Sequence, residues 1–205
     1  MLPKPYYENE LGRLYHGDCL DILPHLEPVD LVLTDPPYGC GKDSWDISFP
    51  KEWFRQCLTK TSGFGIITGS SGLKDSVPLV GDLFVDVISA RNLNGMTRGP
   101  IGFGNWLAVV VAKRKPRQGP NFLSFSVRGN MPEHPSPKPI EFMLLITDRL
   151  SENGETILDP FLGSGTTAVS CERLKRRWIG IEIEEKYCAI AVKRIEAERK
   201  QLKLF

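Results

Sequence analysis

A mostly parallel α/β sheet with helices on both faces is the fold this sequence predicts, on three observations. Three short apolar runs each end in a carboxylate: Leu31-Val32-Leu33-Thr34-Asp35, Thr156-Ile157-Leu158-Asp159 and Trp178-Ile179-Gly180-Ile181-Glu182. Such runs read as strands buried on both faces. They alternate with segments of helical periodicity, as strands linked by helical crossovers do. A glycine turn, Gly163-Ser164-Gly165, separates one of these strands from the helix that follows it.

In chain order, residues 1–13 are polar with two prolines and read as a loosely tied arm. A short strand is expected over 14–16. An amphipathic helix then carries Leu20, Ile22, Leu23 and Leu26 and stops before Pro28. Residues 30–34 form the strand feeding Asp35. Residues 39–50, with two glycines, Lys42 and Trp45, read either as a flap over a substrate or as an ordinary surface loop. A helix is expected over 51–60, a buried strand over 64–68, and a helix over 71–83 broken at Pro78. Runs over 83–89 and 106–112 predict an antiparallel pair at a sheet edge, joined by a projecting, glycine-rich connection. Residues 113–130 are basic and rich in turns. The expected elements then run helix 140–150, strand 156–159, helix 166–174, strand 178–182 and a final helix from 185. The last helix places Tyr187, Ala191 and Ile195 on one apolar stripe.

The 205 residues suit one α/β domain, read as spanning 1–205 with a small basic insertion at about 91–130. No apolar run approaches the roughly 20 residues of a membrane span, and no secretory leader is evident, so a cytoplasmic protein without membrane contact is expected. Cys19, Cys40, Cys57, Cys171 and Cys188 are scattered and odd in number, which suits reduced thiols. His16, His25 and His134 are too dispersed to suggest a metal site, and none is expected. The net charge of +1 hides an asymmetry. No Asp or Glu occurs between Val87 and Pro132, where Arg91, Arg98, Lys113, Arg114, Lys115, Arg117 and Arg128 stand. A basic block inside an otherwise acidic chain points to a polyanion, with nucleic acid preferred over a merely solvated face.

Asp35 falls where its strand ends, and Pro36 and Pro37 carry the chain away as a stiff loop whose nitrogens donate nothing. A carboxylate, a free Pro36 carbonyl and the Tyr38 ring are thereby held at the carboxyl edge of a sheet, where open α/β folds bind ligands. Two acceptors aimed at the hydrogens of an exocyclic amino group draw its delocalised lone pair back onto nitrogen. An aromatic face can stack an extruded base. A simple turn explains Asp-Pro-Pro equally well. Further along, Asp159-Pro160-Phe161-Leu162-Gly163-Ser164-Gly165-Thr166-Thr167 is a strand–loop–helix element whose glycines admit a ligand to the backbone. It lacks the Gly-Lys-Ser/Thr of a phosphate-binding P-loop and the Gly-x-Gly-x-x-Gly spacing. Backbone donors there suit a carboxylate such as a methionine tail, and Glu182 stands where an acid reads ribose hydroxyls in related folds.

Together these strings resemble the amino-group DNA methyltransferases, which methylate adenine N6 or cytosine N4. Asp35-Pro36-Pro37-Tyr38 is similar to the family's catalytic motif. The glycine element, Ile179-Gly180-Ile181-Glu182, and the run of Tyr187, Ala191, Arg194 and Ile195 are similar to its S-adenosylmethionine motifs. His134-Pro-Ser136-Pro-Lys138-Pro139 resembles its His-Pro-Ser/Thr-x-Lys-Pro element, and Gly17-Asp18 its short adenine-covering motif. The resemblance implies a Rossmann-like, S-adenosylmethionine-dependent fold in the circularly permuted order, with the catalytic string first. It implies Asp35, Pro36, Pro37 and Tyr38 as catalytic residues. The cofactor set it implies is Asp18, His134, Ser136, Lys138, Asp159, Phe161, Gly163, Ser164, Gly165, Thr166 and Glu182. Asp18 and Thr166 also read as helix-start residues, and Tyr187 and Ile195 as core.

The resemblance further implies methyl transfer to double-stranded DNA, with adenine favoured because cytosine enzymes of the family more often begin the catalytic motif with Ser. Action on cytosine N4 or RNA, or a silent DNA-binding scaffold, stand as alternatives, and a homodimer is possible. Family members usually carry a larger recognition region than the 91–130 interval, so a short or weak sequence preference is expected. The permuted order makes one spatial demand: the strand at 14–16 must lie beside that at 178–182.

Overall fold

The computed structural model describes residues 1–37, 51–69, 72–93, 106–126 and 138–202, with the backbone of 97–99 and 102–104. Tyr38, the 39–50 loop, Arg128, His134, Ser136 and the Arg98 side chain lie outside the described residues. Strands are β1 (Tyr7–Glu8), β2 (Gly12–His16), β3 (Leu31–Thr34), β4 (Phe64–Thr68), β5 (Phe84–Asn92), β6 (Thr97–Gly99), β7 (Gly102–Gly104), β8 (Trp106–Ala112), β9 (Phe122–Phe125), β10 (Thr156–Asp159) and β11 (Arg177–Glu182). Helices are α1 (Cys19–Ile22), α2 (Glu52–Leu58), α3 (Leu73–Val80), α4 (Ile140–Leu150), α5 (Thr166–Leu174) and α6 (Glu185–Leu202).

Among the described residues one sheet runs β1-β2-β11-β10-β3-β4-β8-β5-β9. Strands β2, β11, β10, β3 and β4 are mutually parallel, so their carboxyl ends share one edge. The demand for β2 beside β11 is met in register, Leu14 opposite Gly180 and His16 opposite Glu182. Alternate side chains feed two apolar layers. Leu31, Leu33, Ile157 and Ile67 face Phe142, Ile146, Ala168 and Ile195 of α4, α5 and α6. Val32, Leu158, Ile181 and Ile66 face Ile22, Trp53 and Val80 of α1, α2 and α3. Double-sided burial is why these strands read as unbroken apolar runs.

Four expectations are corrected. The 71–83 helix does not break at Pro78: α3 continues to Val80. Pro78 sits in the second turn on the exposed face, so the only hydrogen bond it forfeits is to a first-turn carbonyl that water reaches. The β5–β8 pair is antiparallel as expected but is not the sheet edge, because β9 adds parallel to β5. The connection after β5 contains its own ladder, β6 against β7. The amino-terminal arm is tied down by β1 on β2, with Tyr7 stacked on Trp178 at 6.5 Å.

Trp178 shows how the two ends of the chain are locked. It is buried, and its indole N–H donates to Glu172 Oε1 at 2.9 Å. Its ring lies over Gly12, where an added Cβ would fall 2.2 Å from ring carbons. Substituting Gly12→Ala should therefore force β2 from β11 and destabilise the fold by about 1–3 kcal/mol or more. Urea unfolding checks this, and an unchanged midpoint would contradict the packing described.

Candidate active site

The parallel topology collects Asp18, Glu182, Asp159 and Asp35 at the carboxyl ends of β2, β11, β10 and β3. Sequence reading named all four, and the fold brings them to one edge. At the centre, Asp159 is 3% exposed and both of its oxygens are engaged. Oδ1 accepts from Thr34 Oγ1 at 2.7 Å and from the Phe161 N–H at 3.1 Å. Oδ2 accepts from Thr167 Oγ1 at 2.6 Å. This one carboxylate joins the strand that delivers Asp35 to the loop that opens α5. Burial pushes it up to about 6; the three hydrogen bonds pull it back, and nearby Asp35 adds to the rise.

The glycine loop is braced from two further sides. Gly165 is the residue before α5 and takes φ +84°, and a Cβ there would come within 2.8 Å of Ala191 Cβ on α6. Arg194, also on α6, donates from Nη1 to Ser164 O at 2.6 Å, Ser164 Oγ at 2.9 Å and Thr166 Oγ1 at 3.0 Å. Glu182 Oε2 accepts from Gly163 N at 2.7 Å, and Oε1 from Glu184 N at 2.9 Å. Burial pushes the Glu182 carboxyl up, with the two N–H bonds opposing and Asp159 and Glu184 reinforcing. Phe161 is half-buried with its ring edge-on to Trp53. Asp18 is exposed and caps α1, accepting from Leu20 N at 2.8 Å.

Asp35 is not alone at its strand end. Lys138, placed by the sequence among cofactor residues, forms an ion pair from Nζ to Asp35 Oδ2, with 16% and 29% of the two side chains exposed. Thr34 and Lys138 thus have partners that sequence reasoning missed. The Thr34 bond depends on the register of two strands, and the Lys138 pair spans 103 residues.

The basic block divides. Arg91 sits exposed at the end of β5 nearest the site, opposite Trp106. Lys113, Arg114 and Arg117 follow β8 at the opposite edge of the sheet. There Lys113 Nζ donates to Leu58 O and Thr61 O, Arg114 pairs with Glu155, and Arg117 with Asp148 and Glu152. Lys115 is exposed beside them. The basic residues thus stand at two edges of the sheet: β8 runs antiparallel to β4, so residues just past its end leave at the far edge.

Comparison with known proteins agrees with this geometry. The DNA methylase family model of N6/N4 type matches residues 115–193. The Type II methyltransferase M2.DpnII of Streptococcus pneumoniae is 26% identical, covering 97% of this chain and 94% of its own. M.ScaI of Streptomyces caespitosus is 27% identical, covering 98% and 86%. In fold, the M1.HpyAVI–SAM complex superposes with a TM-score of 0.73 at 24% identity over 90% of this chain and 98% of its own. The cytosine-N4-specific PvuII DNA methyltransferase gives 0.74 at 20% over 93% and 88%. The fold is the Rossmann-like one that these methyltransferase structures share. Over residues 115–193 the chain matches the N6/N4-type DNA methylase family, and these relatives, at 26–27% identity over nearly its whole length, are Type II methyltransferases.

The raised Asp159 carboxyl sets the sign of a pH effect. Its folded value, about 6, exceeds its ordinary 3.8, so its favourable contribution is complete below the lower value and is lost as pH rises through the higher. Asn at this position keeps a carbonyl for Thr34 and Phe161 but does not titrate. Urea unfolding of wild type and Asp159→Asn should show the variant gaining relative stability from about pH 4 to pH 6.5. A pH-independent difference would show that this carboxyl does not titrate in that range.

Proposed function

We propose that this amino-methyltransferase moves the methyl group of S-adenosylmethionine to adenine N6 in double-stranded DNA. The observation that carries the reading is the adjacency of Asp35, at the end of β3, to the braced glycine loop after β10, bridged by Asp159. The residues present fit the cofactor. Gly163 and Gly165 take positive φ and can bring backbone close to a ligand, and among the described residues no side chain caps the amino terminus of α5. Glu182 has two oxygens and two N–H partners, leaving lone pairs for ribose hydroxyls. Asp18, Phe161, Ser164, Thr166, His134 and Ser136 are assigned to the same cofactor surface. Asp159 holds the surface together from inside.

The bound cofactor supplies a methyl group activated by a sulfonium. The target base leaves the helix and stacks on Tyr38. Asp35 and the Pro36 carbonyl accept its two amino hydrogens and concentrate the lone pair on nitrogen. When bound, the cofactor would give its methyl carbon to that nitrogen, the displaced electron pair leaving on its sulfur, and Asp35 would stand where the proton shed by the nitrogen departs to solvent. Positioning and placed acceptors account for the acceleration. The acid at position 35 favours adenine. Cytosine N4 is the second reading, supported by the fold match to a cytosine-N4-specific enzyme. Arg91 and, outside the described side chains, Arg98 and Arg128 are the cations assigned to DNA; phosphate contacts of this kind carry no sequence information.

Incubation with labelled cofactor and unmethylated DNA, followed by nucleoside analysis, should yield N6-methyladenine. N4-methylcytosine would select the second reading, label on RNA alone would move the substrate, and cofactor binding without transfer would indicate a silent scaffold. Asp35→Ala should cut transfer by about 10²–10³-fold or more while cofactor binding persists. Glu182→Ala should weaken cofactor binding by about 10–100-fold, the loss of one or two charge-assisted hydrogen bonds. Because the 91–130 interval is short and also supplies β8 and β9 to the main sheet, methylation of a randomised DNA library should reveal only a short or loose preference. A long, strict recognition sequence would refute that.

A further inference from the structure

We infer that Lys138 is a positioning residue for Asp35 and not a ligand of the cofactor, an inference that rests on the proposed methyl transfer. Lys138 leaves the chain beside Pro139, the residue before α4, and α4 is anchored through buried Phe142, Met143 and Ile146. The ammonium is thus delivered from a fixed mount to Asp35 Oδ2. Among the described residues Oδ1 accepts no hydrogen bond, so the lysine fixes the carboxylate by one oxygen and leaves the other for an amino hydrogen. Asp35 also lies close enough to Asp159 for the two charges to oppose each other. A cation on its outer side compensates the crowding of carboxylates at this edge of the sheet. The pair is mostly shielded from water, so it is geometrically defined, unlike an exposed ion pair between mobile chains. An acceptor aimed before the base arrives is what a reaction driven by placement requires.

The test separates the two roles of Lys138. S-adenosylmethionine binding is measured by calorimetry, and single-turnover transfer at saturating cofactor is measured on DNA, for wild type, Lys138→Met and Lys138→Arg. Positioning predicts that Lys138→Met binds cofactor within about 3-fold of wild type, loses about 10²-fold in transfer, and that Lys138→Arg restores much of the loss. Weakened cofactor binding with a wild-type rate at saturation would overturn the inference and make Lys138 a cofactor ligand; no change in either would make the pair incidental. A double-mutant cycle in urea unfolding with Asp35→Asn reads the pairing without turnover, and should show coupling between the two positions. If the wild-type protein transfers nothing to DNA, the functional reading falls while the cycle still decides the pairing; an uncoupled cycle overturns the inference by itself.

Discussion

The site depends on one buried carboxylate. Asp159 belongs to β10, yet its hydrogen bonds go to Thr34 on β3, to Thr167 on α5 and to the backbone of Phe161. A carboxylate enclosed by apolar strands is costly unless its lone pairs are matched. Here every donor that matches it comes from an element that must be placed correctly for the chemistry. The cost of burial thus becomes a geometric specification. The strand carrying Asp35 and the loop opening α5 cannot drift apart without exposing an unsatisfied acid.

The same logic governs the glycine loop. Its two positive-φ residues would be loose in isolation. Ala191 fills the space a Cβ at Gly165 would need, Arg194 fastens Ser164 and Thr166, and Glu182 holds Gly163. Burial holds the Arg194 guanidinium below its ordinary range, so this cation is turned inward to the loop and away from solvent. Rigid support of this kind is what sites that work by placement need.

Most of this architecture was legible in the sequence because it is written in local patterns. Apolar runs ending in Asp35, Asp159 and Glu182 fixed the strands and their shared edge, and the apolar stripe of Tyr187, Ala191 and Ile195 fixed α6. Resemblance then supplied the chemical roles. What was not legible is what depends on register or on packing between distant segments. Thr34 is an ordinary strand residue until β3 is set against β10. Lys138 is one loop lysine among several until α4 carries it to Asp35. Lys113, Arg114 and Arg117 read as one basic block with Arg91, because sequence proximity says nothing about which end of a strand a residue leaves from. β1 escaped because two residues carry no period, and β9 because it is mostly unburied and lies in a basic, turn-rich stretch rather than forming an apolar run.

The clasp between the first strand segment and the last helix has a consequence for ancestry. Tyr7 bonds to Glu196, Arg199 to Glu10, and Asn9 to Glu172 at 2.7 Å, which Arg199 also reaches. Residues 7–10 and 196–199 are therefore neighbours in space although they bracket nearly the whole sequence. A ribbon that already returns to itself can be reopened at another turn with no strand changing its partners. Gene rearrangement could thus reverse which motif is translated first and leave the candidate site untouched.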